Sequence, residues 1–487
     1  MQARGPVEGG MRHTVIIGGG ITGLAAAFHL QRTAHSSVAV TLIESSPCLG
    51  GKITSRRENG FLIEGGPDSF ITRKPATIEL CRALGLEDEL IGTSPAEHST
   101  YVLSRGCLHP FPDGLAPLVK SRLISWPGKL RMAVEPFVPV RCKDADESLA
   151  SFVRRRMGTE ALDKMAAPLL AGIYAADPER LSLQSTFAML PKMEKKYGSV
   201  LRGYLAQRQR RARSENGTAQ HASRSMFMTL RGGLQQVVDT LTLHLAFADI
   251  KLNCRVLAVM PIGNHYEVLL HDGSFLHADD IVFATPAYVT AELVQGMDPQ
   301  LAEHLRRIRY VSTATVSLGF RQGDLNAPLD GYGFVVPQQE GRLITACSWS
   351  STKFAARAPA GYALVRVFLG GDGNENVAEQ EEAALVDLAR HELCAAMGIT
   401  ARPVVSKAYR WHRGNPQYDV GHLARLAEIE KLAAHHPGLY LAGAAYRGAG
   451  VPDCIESGAR VAARIAERAS IGQQQHCKNN VQECVYG

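Results

Sequence analysis

The 487-residue chain lacks the features that mark several large classes of protein. It has no apolar run of about 20 residues, so no membrane-spanning helix is expected. It opens without the basic, apolar and small-residue pattern of a secretory leader, and the expected location is the cytoplasm. Its 10 cysteines form no CxxC pair and no cluster with histidine at ligand spacing, which predicts reduced thiols and no bound metal. No Ser/His/Asp or Cys/His set can be placed together, so no catalytic base or nucleophile stands out. No aromatic residue lies between Leu205 and Met226, where Arg208 to Arg213 reads RQRRAR. A nucleic-acid surface would interleave such cations with rings, so Gln207 to Arg224 reads as an exposed mobile loop, and no nucleic-acid partner is expected.

What is present begins with the stretch from Thr14 to Lys52. Thr14-Val-Ile-Ile17 is a β-branched run that suits a buried strand, and it leads into Gly18-Gly19-Gly20-Ile21-Thr22-Gly23. In a strand, turn and helix of this kind Gly18 permits the turn, Gly20 lets backbone approach a pyrophosphate, and Gly23 lets helix meet strand. The first helical amides then face the phosphates. A second strand, Val38 to Glu44, ends on a carboxylate 21 positions past Gly23, the place of the acid that holds an adenosine ribose, with Ser45 beside it. Glu44 would repel a 2′-phosphate, so NADP is disfavoured.

The residues that follow carry a resemblance. Pro47-Cys-Leu-Gly-Gly51-Lys52 places a glycine doublet just past the ribose acid, and this resembles the extended FAD fingerprint of the amine oxidase-like flavoproteins. Glu64-Gly65-Gly66-Pro67-Asp68-Ser-Phe70 resembles one branch of them, the soluble oxygen-dependent porphyrinogen oxidases of Gram-positive type bacteria. That resemblance implies FAD as cofactor, with Gly65 to Asp68 along the flavin, Val256 at the adenine and Trp411 against the cofactor. Pro168 to Pro178 is similar to a motif of the same branch but has Ala176 where Gly is usual, which puts the local loop conformation in doubt.

Near the C-terminus, Leu439-Tyr-Leu-Ala-Gly443 reads as a strand ending in glycine, and Gly450-Val451-Pro452-Asp453 opens a helix roughly 400 residues after the first motif. Asp453 and Glu456 have the spacing of a capping box. A helix N-terminus aimed at N1 and C2=O of a flavin stabilises the negative charge of its reduced form.

The fold class expected is α/β, α+β overall: a discontinuous Rossmann-like FAD-binding domain, an antiparallel-sheet substrate domain and a helical subdomain. The FAD domain takes residues 12–75, 226–290 and 411–469. Residues 76–225 form a helical substrate region and residues 291–410 the antiparallel domain, with disordered termini at 1–11 and 470–487. Within the helical region, 114–140 mixes apolar residues with Lys120, Arg122, Lys129 and Arg131. It suits a cavity wall better than a peripheral membrane contact, which stays open as the alternative. Three arginines end the helix at Met157, where the macrodipole alone accounts for them.

The resemblance implies oxidation of a porphyrinogen to a porphyrin in haem biosynthesis: three rounds of hydride transfer to flavin N5, with O2 as acceptor and H2O2 as product. Coproporphyrinogen III is the leading substrate and protoporphyrinogen IX the alternative, ahead of an amine oxidase or a structural flavoprotein. Arg73 and Lys74 are the candidate anchors for substrate carboxylates, and a haem-pathway chelatase is a possible partner.

Overall fold

The computed structural model describes residues 11–34, 37–95, 100–141, 145–214 and 225–486, without the side chains of 173, 210–214 and 472–486. A five-stranded parallel sheet collects strands from widely separated stretches, in the order Ala248–Lys251, Val38–Ile43, Arg12–Ile17, Asp280–Phe283 and Leu439–Leu441. The apolar runs of the inner strands, Val15 to Ile17 and Ile281 to Phe283, follow from burial on both faces. Ile16, Val40 and Leu42 enter one core, with the helices Ile21–Ala34 and Val451–Tyr486. Val15, Ile17 and Ile43 enter the other, beneath the antiparallel strands Val256–Ile262, His265–Leu270 and Phe275–Ala278.

A second, seven-stranded sheet runs Val405–Pro416, Tyr310–Arg321, Tyr362–Gly370, Ile344–Ser348, Gly333–Val335, Tyr101–Ser104 and Cys107–Pro110. It is antiparallel except where Gly333–Val335 meets Tyr101–Ser104. The division drawn at 410/411 falls inside the strand Val405–Pro416, and 101–110 lies in this sheet rather than among helices. The apolar face of Glu382–Met397, through Leu385, Ala389 and Leu393, covers one side, and Gly398 ends that helix in the left-handed region. A short helix, Glu375–Ala378, precedes it as a separate element.

The helices Leu149–Met157, Ala167–Tyr174 and Met189–Tyr197 share a smaller core around Phe152, Leu162 and Met193. Three further expectations change here. The Val200–Ser214 helix carries Gln207 to Ser214, part of the stretch expected as a loop, and 215–224 lie outside the described residues. The C-terminal helix runs through the tail expected to be disordered, while 1–10 lie outside the described residues. The three arginines need more than a dipole, because Arg154 meets Glu179, Arg155 meets Glu147 and Glu194, and the fully buried Arg156 meets Glu135 and Glu194. Among the described residues no helix is long and apolar enough to cross a membrane.

Candidate functional site

The first glycine turn has the geometry its spacing predicts. Gly18 takes φ +111°, and its amide donates to the Ile43 carbonyl at 2.8 Å. A Cβ on Gly23 would stand 2.0 Å from the Gly18 carbonyl oxygen, so only glycine lets the helix come this close to the strand. A Cβ on Gly20 would meet nothing within 4 Å. That open side, at the start of the Ile21–Ala34 helix where the Ile21 and Thr22 amides have no intrahelical acceptor, is a cradle for an anionic group.

Glu44 closes the turn from the second strand. Its carboxylate accepts from the Gly19 amide at 2.7 Å and from the Ser46 amide and hydroxyl at 2.8 Å, with the Ser45 hydroxyl at 3.3 Å. The Cys254 amide donates to the Glu44 carbonyl at 2.9 Å, which brings the buried Val256 to the same corner. Gly51, at φ +61°, lies against Gly20. Lys52 is drawn inward and donates to the Gly414 carbonyl, and burial pushes its ammonium below the usual lysine range, with Cys454 opposing.

The Gly65-Gly66 turn is closed from behind, since a Cβ on Gly66 would meet the Lys52 carbonyl oxygen at 1.8 Å. Trp411 Nε1 donates to the Gly65 carbonyl at 3.0 Å, and its ring lies parallel to Tyr409. Burial opposes ionisation of Asp68, but Lys353 at 3.4 Å and the Arg366 guanidinium outweigh it and hold the carboxyl down to about 2.

Gly443, at φ +115°, brings the end of the Leu439–Leu441 strand to Thr22, and an added Cβ would sit 3.6 Å from Thr22 Oγ1. Gly458 lets the C-terminal helix cross the first one, where a Cβ would reach the Thr22 carbonyl oxygen at 2.4 Å. Gly450, Val451 and Pro452 therefore start their helix beside the first turn of the other. The capping box is absent: Asp453 pairs with Lys74, and Glu456 pairs with Arg460. Lys74 is thus engaged at this helix start, while Arg73 is exposed.

The doubt over Ala176 is answered by its neighbour. Ala175 takes the left-handed conformation at φ +50°, whereas Ala176 is buried without it, so the missing glycine imposes no backbone strain there.

Sequence reasoning missed Thr315, Lys353, Arg357 and Arg366. Arg366 left a signal, a lone cation within the apolar run from Ala363 to Leu369, which cannot be buried without partners.

The open cradle at Gly20, the carboxylate at the second strand end and a second helix start beside the first fit FAD. The comparisons agree. A Bacillus subtilis protein named coproporphyrinogen III oxidase is 35% identical over 92% of this chain and 97% of its own length. Human protoporphyrinogen oxidase is 32% identical over 93% of this chain and 98% of its own. A solved structure from Exiguobacterium sp. 255-15, provisionally named a protoporphyrinogen oxidase, is 31% identical with a TM-score of 0.83, over 94% of this chain and all of that one. The flavin containing amine oxidoreductase family matches residues 21–466, and the chain belongs to that family as an FAD-dependent oxidoreductase.

Proposed function

We propose that this chain oxidises coproporphyrinogen III to coproporphyrin III by removing six electrons, with O2 as acceptor and H2O2 as product. The observation that carries this reading is the 35% identity to a coproporphyrinogen III oxidase over nearly the whole of both chains. Protoporphyrinogen IX is the second reading, favoured by the human relative of similar coverage.

Gly18 to Gly23 hold the pyrophosphate of FAD through the Ile21 and Thr22 amides, and Glu44 with Ser45 holds the ribose. Val256 lies at the adenine, and Gly51 and Lys52 close over the turn. Gly65 to Asp68, Trp411 and Gly443 flank the flavin, and the helix start at Gly450 to Pro452 directs its positive end, with the Val451 amide, at the pyrimidine edge. Bound FAD supplies hydride acceptance and the reaction with O2. The protein excludes water and fixes the orientation; no side chain is assigned as a base. Arg73 is the free candidate for a substrate carboxylate, while Lys74 serves first as the partner of Asp453. Insertion of a metal by a chelatase is the class of reaction that would consume the product.

The 114–140 segment is proposed as a peripheral membrane contact rather than the cavity wall expected from sequence. Trp126 and Leu130 are each 66% exposed and Phe137 is 79% exposed.

Aerobic oxidation of each porphyrinogen, followed by porphyrin fluorescence with H2O2 counted in parallel, tests the function. A higher kcat/KM for coproporphyrinogen III is expected. Preference for protoporphyrinogen IX selects the second reading, and yellow protein inert toward both overturns the two together.

A further inference from the structure

The Gly65-Gly66 turn is held by residues far from it in sequence. The Gly65 carbonyl accepts from Thr315 Oγ1, Arg366 Nη2 and Trp411 Nε1, each at 3.0 Å. Arg366 Nη2 also donates to the Gly66 carbonyl at 2.5 Å. The three donors stand on three neighbouring strands of the seven-stranded sheet, Val405–Pro416, Tyr310–Arg321 and Tyr362–Gly370. These bonds tie the end of the hairpin Ser55–Glu58 and Phe61–Glu64 to the antiparallel sheet.

Arg366 is 2% exposed, and its neighbours along the strand are apolar. Burying a guanidinium there costs several kcal/mol unless it is matched. The match is incomplete. Around it Lys353 and Arg357 add two cations, against the carboxylates of Glu64 and Asp68. Burial pushes Glu64 upward, opposed by the Ser55 hydroxyl, the Arg357 guanidinium and the Leu234 amide, so that three cations face two carboxylates. Arg357 Nη1 and Arg366 Nε have no hydrogen-bond partner among the described residues, and both side chains line one small enclosed chamber with Glu64 and Asp68. The region behind the turn thus carries excess positive charge in a low-dielectric setting.

We infer that Arg366 is a positioning residue for the cofactor: it fixes the Gly65-Gly66 turn and sets an uncompensated positive charge behind it, tightening FAD binding and raising the reduction potential. The inference rests on the reading of Gly65 to Asp68 as the flavin-lining segment. A fixed positive charge favours the reduced flavin, which is the more negative form, over the oxidised one. A purely structural arginine would hold the turn and leave the potential alone.

The test uses the holoenzyme and its reconstitution with FAD. Arg366→Met, close in size and uncharged, is expected to weaken FAD binding about tenfold. The same substitution lowers the two-electron midpoint potential by about 30 mV, the equivalent of a tenfold loss of preference for the reduced form. Arg366→Lys keeps the charge, so the potential stays near wild type while affinity falls, because the shorter side chain does not reach both carbonyls. Thr315→Val removes one donor without touching charge and leaves the potential unchanged. Wild-type affinity and potential in Arg366→Met overturn the inference. So does a potential that falls equally in Arg366→Lys and Thr315→Val, which also decides the matter if the Met variant does not fold. Pro67→Trp checks the underlying reading separately. An indole placed in a segment that lines the flavin displaces the ring and lowers FAD occupancy of the purified holoenzyme, and wild-type occupancy with unshifted flavin absorption bands removes the segment from the flavin without reference to Arg366.

Discussion

At the residue scale, the glycines of the first turn divide by what stands opposite them. Gly23 faces the Gly18 carbonyl and Gly20 faces open space. The two therefore fail differently on substitution. Gly20→Val leaves the folded apoprotein at its wild-type melting temperature but weakens FAD binding by about a hundredfold, near 2.8 kcal/mol. Gly23→Val forces the helix off the strand and loses the fold as well. Yellow Gly20→Val protein after purification removes the phosphate from this turn. The glycine spacing and Glu44 were legible because a dinucleotide turn is built from consecutive residues and its acid follows at a fixed distance. The partners of Arg366, Lys353 and Thr315 were not legible, since they lie about 250 to 300 positions away and register between distant strands has no local signature.

At the scale of the element, the stretch from Phe61–Glu64 to Phe70–Ile71 is a strand and turn whose carboxylates titrate in opposite senses. Asp68 lies at about 2, although burial alone would raise it, because Lys353 and Arg366 prevail. An unfolded aspartate titrates near 3.9, so the depressed carboxyl contributes about 2 kcal/mol of stability above that pH. This contribution is lost as pH falls from about 4 toward 2. Glu64 is raised by burial, so its ionisation works against the fold at higher pH. Urea titrations of wild type and Asp68→Asn should show a stability difference that is constant at neutral pH and closes between about pH 4 and pH 2. A difference independent of pH shows that Asp68 acts through shape alone. The segment from Glu64 to Phe70 was readable only through its resemblance to a family. The charge state of its carboxylates was not, because it depends on cations delivered by another sheet.

At the scale of the whole molecule, the antiparallel sheet holds the Gly65 turn through three of its strands, and the helical region projects an exposed apolar surface. Leu115, Val119, Trp126, Leu130, Val134 and Phe137 are exposed on the helices Leu115–Lys120 and Trp126–Ala133 and the turn Glu135–Phe137. Helical periodicity announced these elements but could not say which way they face. Glu135 is turned inward instead, bonded to Arg156, Ser199 and the Val200 amide, and this anchors the turn that presents Phe137. From Gly114 to Arg131 there are four basic residues and no acidic one. Lys129 is spent on the Val119 and Ser121 carbonyls and on the Trp126 ring, and Arg131 on the Arg155 and Arg156 carbonyls, which leaves Lys120 and Arg122 exposed for an anionic surface. Each large apolar side chain buried in a bilayer interface contributes about 1.5–3 kcal/mol at most, so three together govern the affinity. Trp126→Ser, Leu130→Ser and Phe137→Ser combined should lower cosedimentation with phosphatidylglycerol-containing vesicles by at least about tenfold, with porphyrinogen turnover in detergent-free solution unchanged. Lys120→Glu with Arg122→Glu should abolish the preference for anionic over neutral vesicles and its decline with salt. If instead the wild type ignores vesicles and the triple serine variant raises KM, these side chains wall the substrate cavity, as their sequence first suggested.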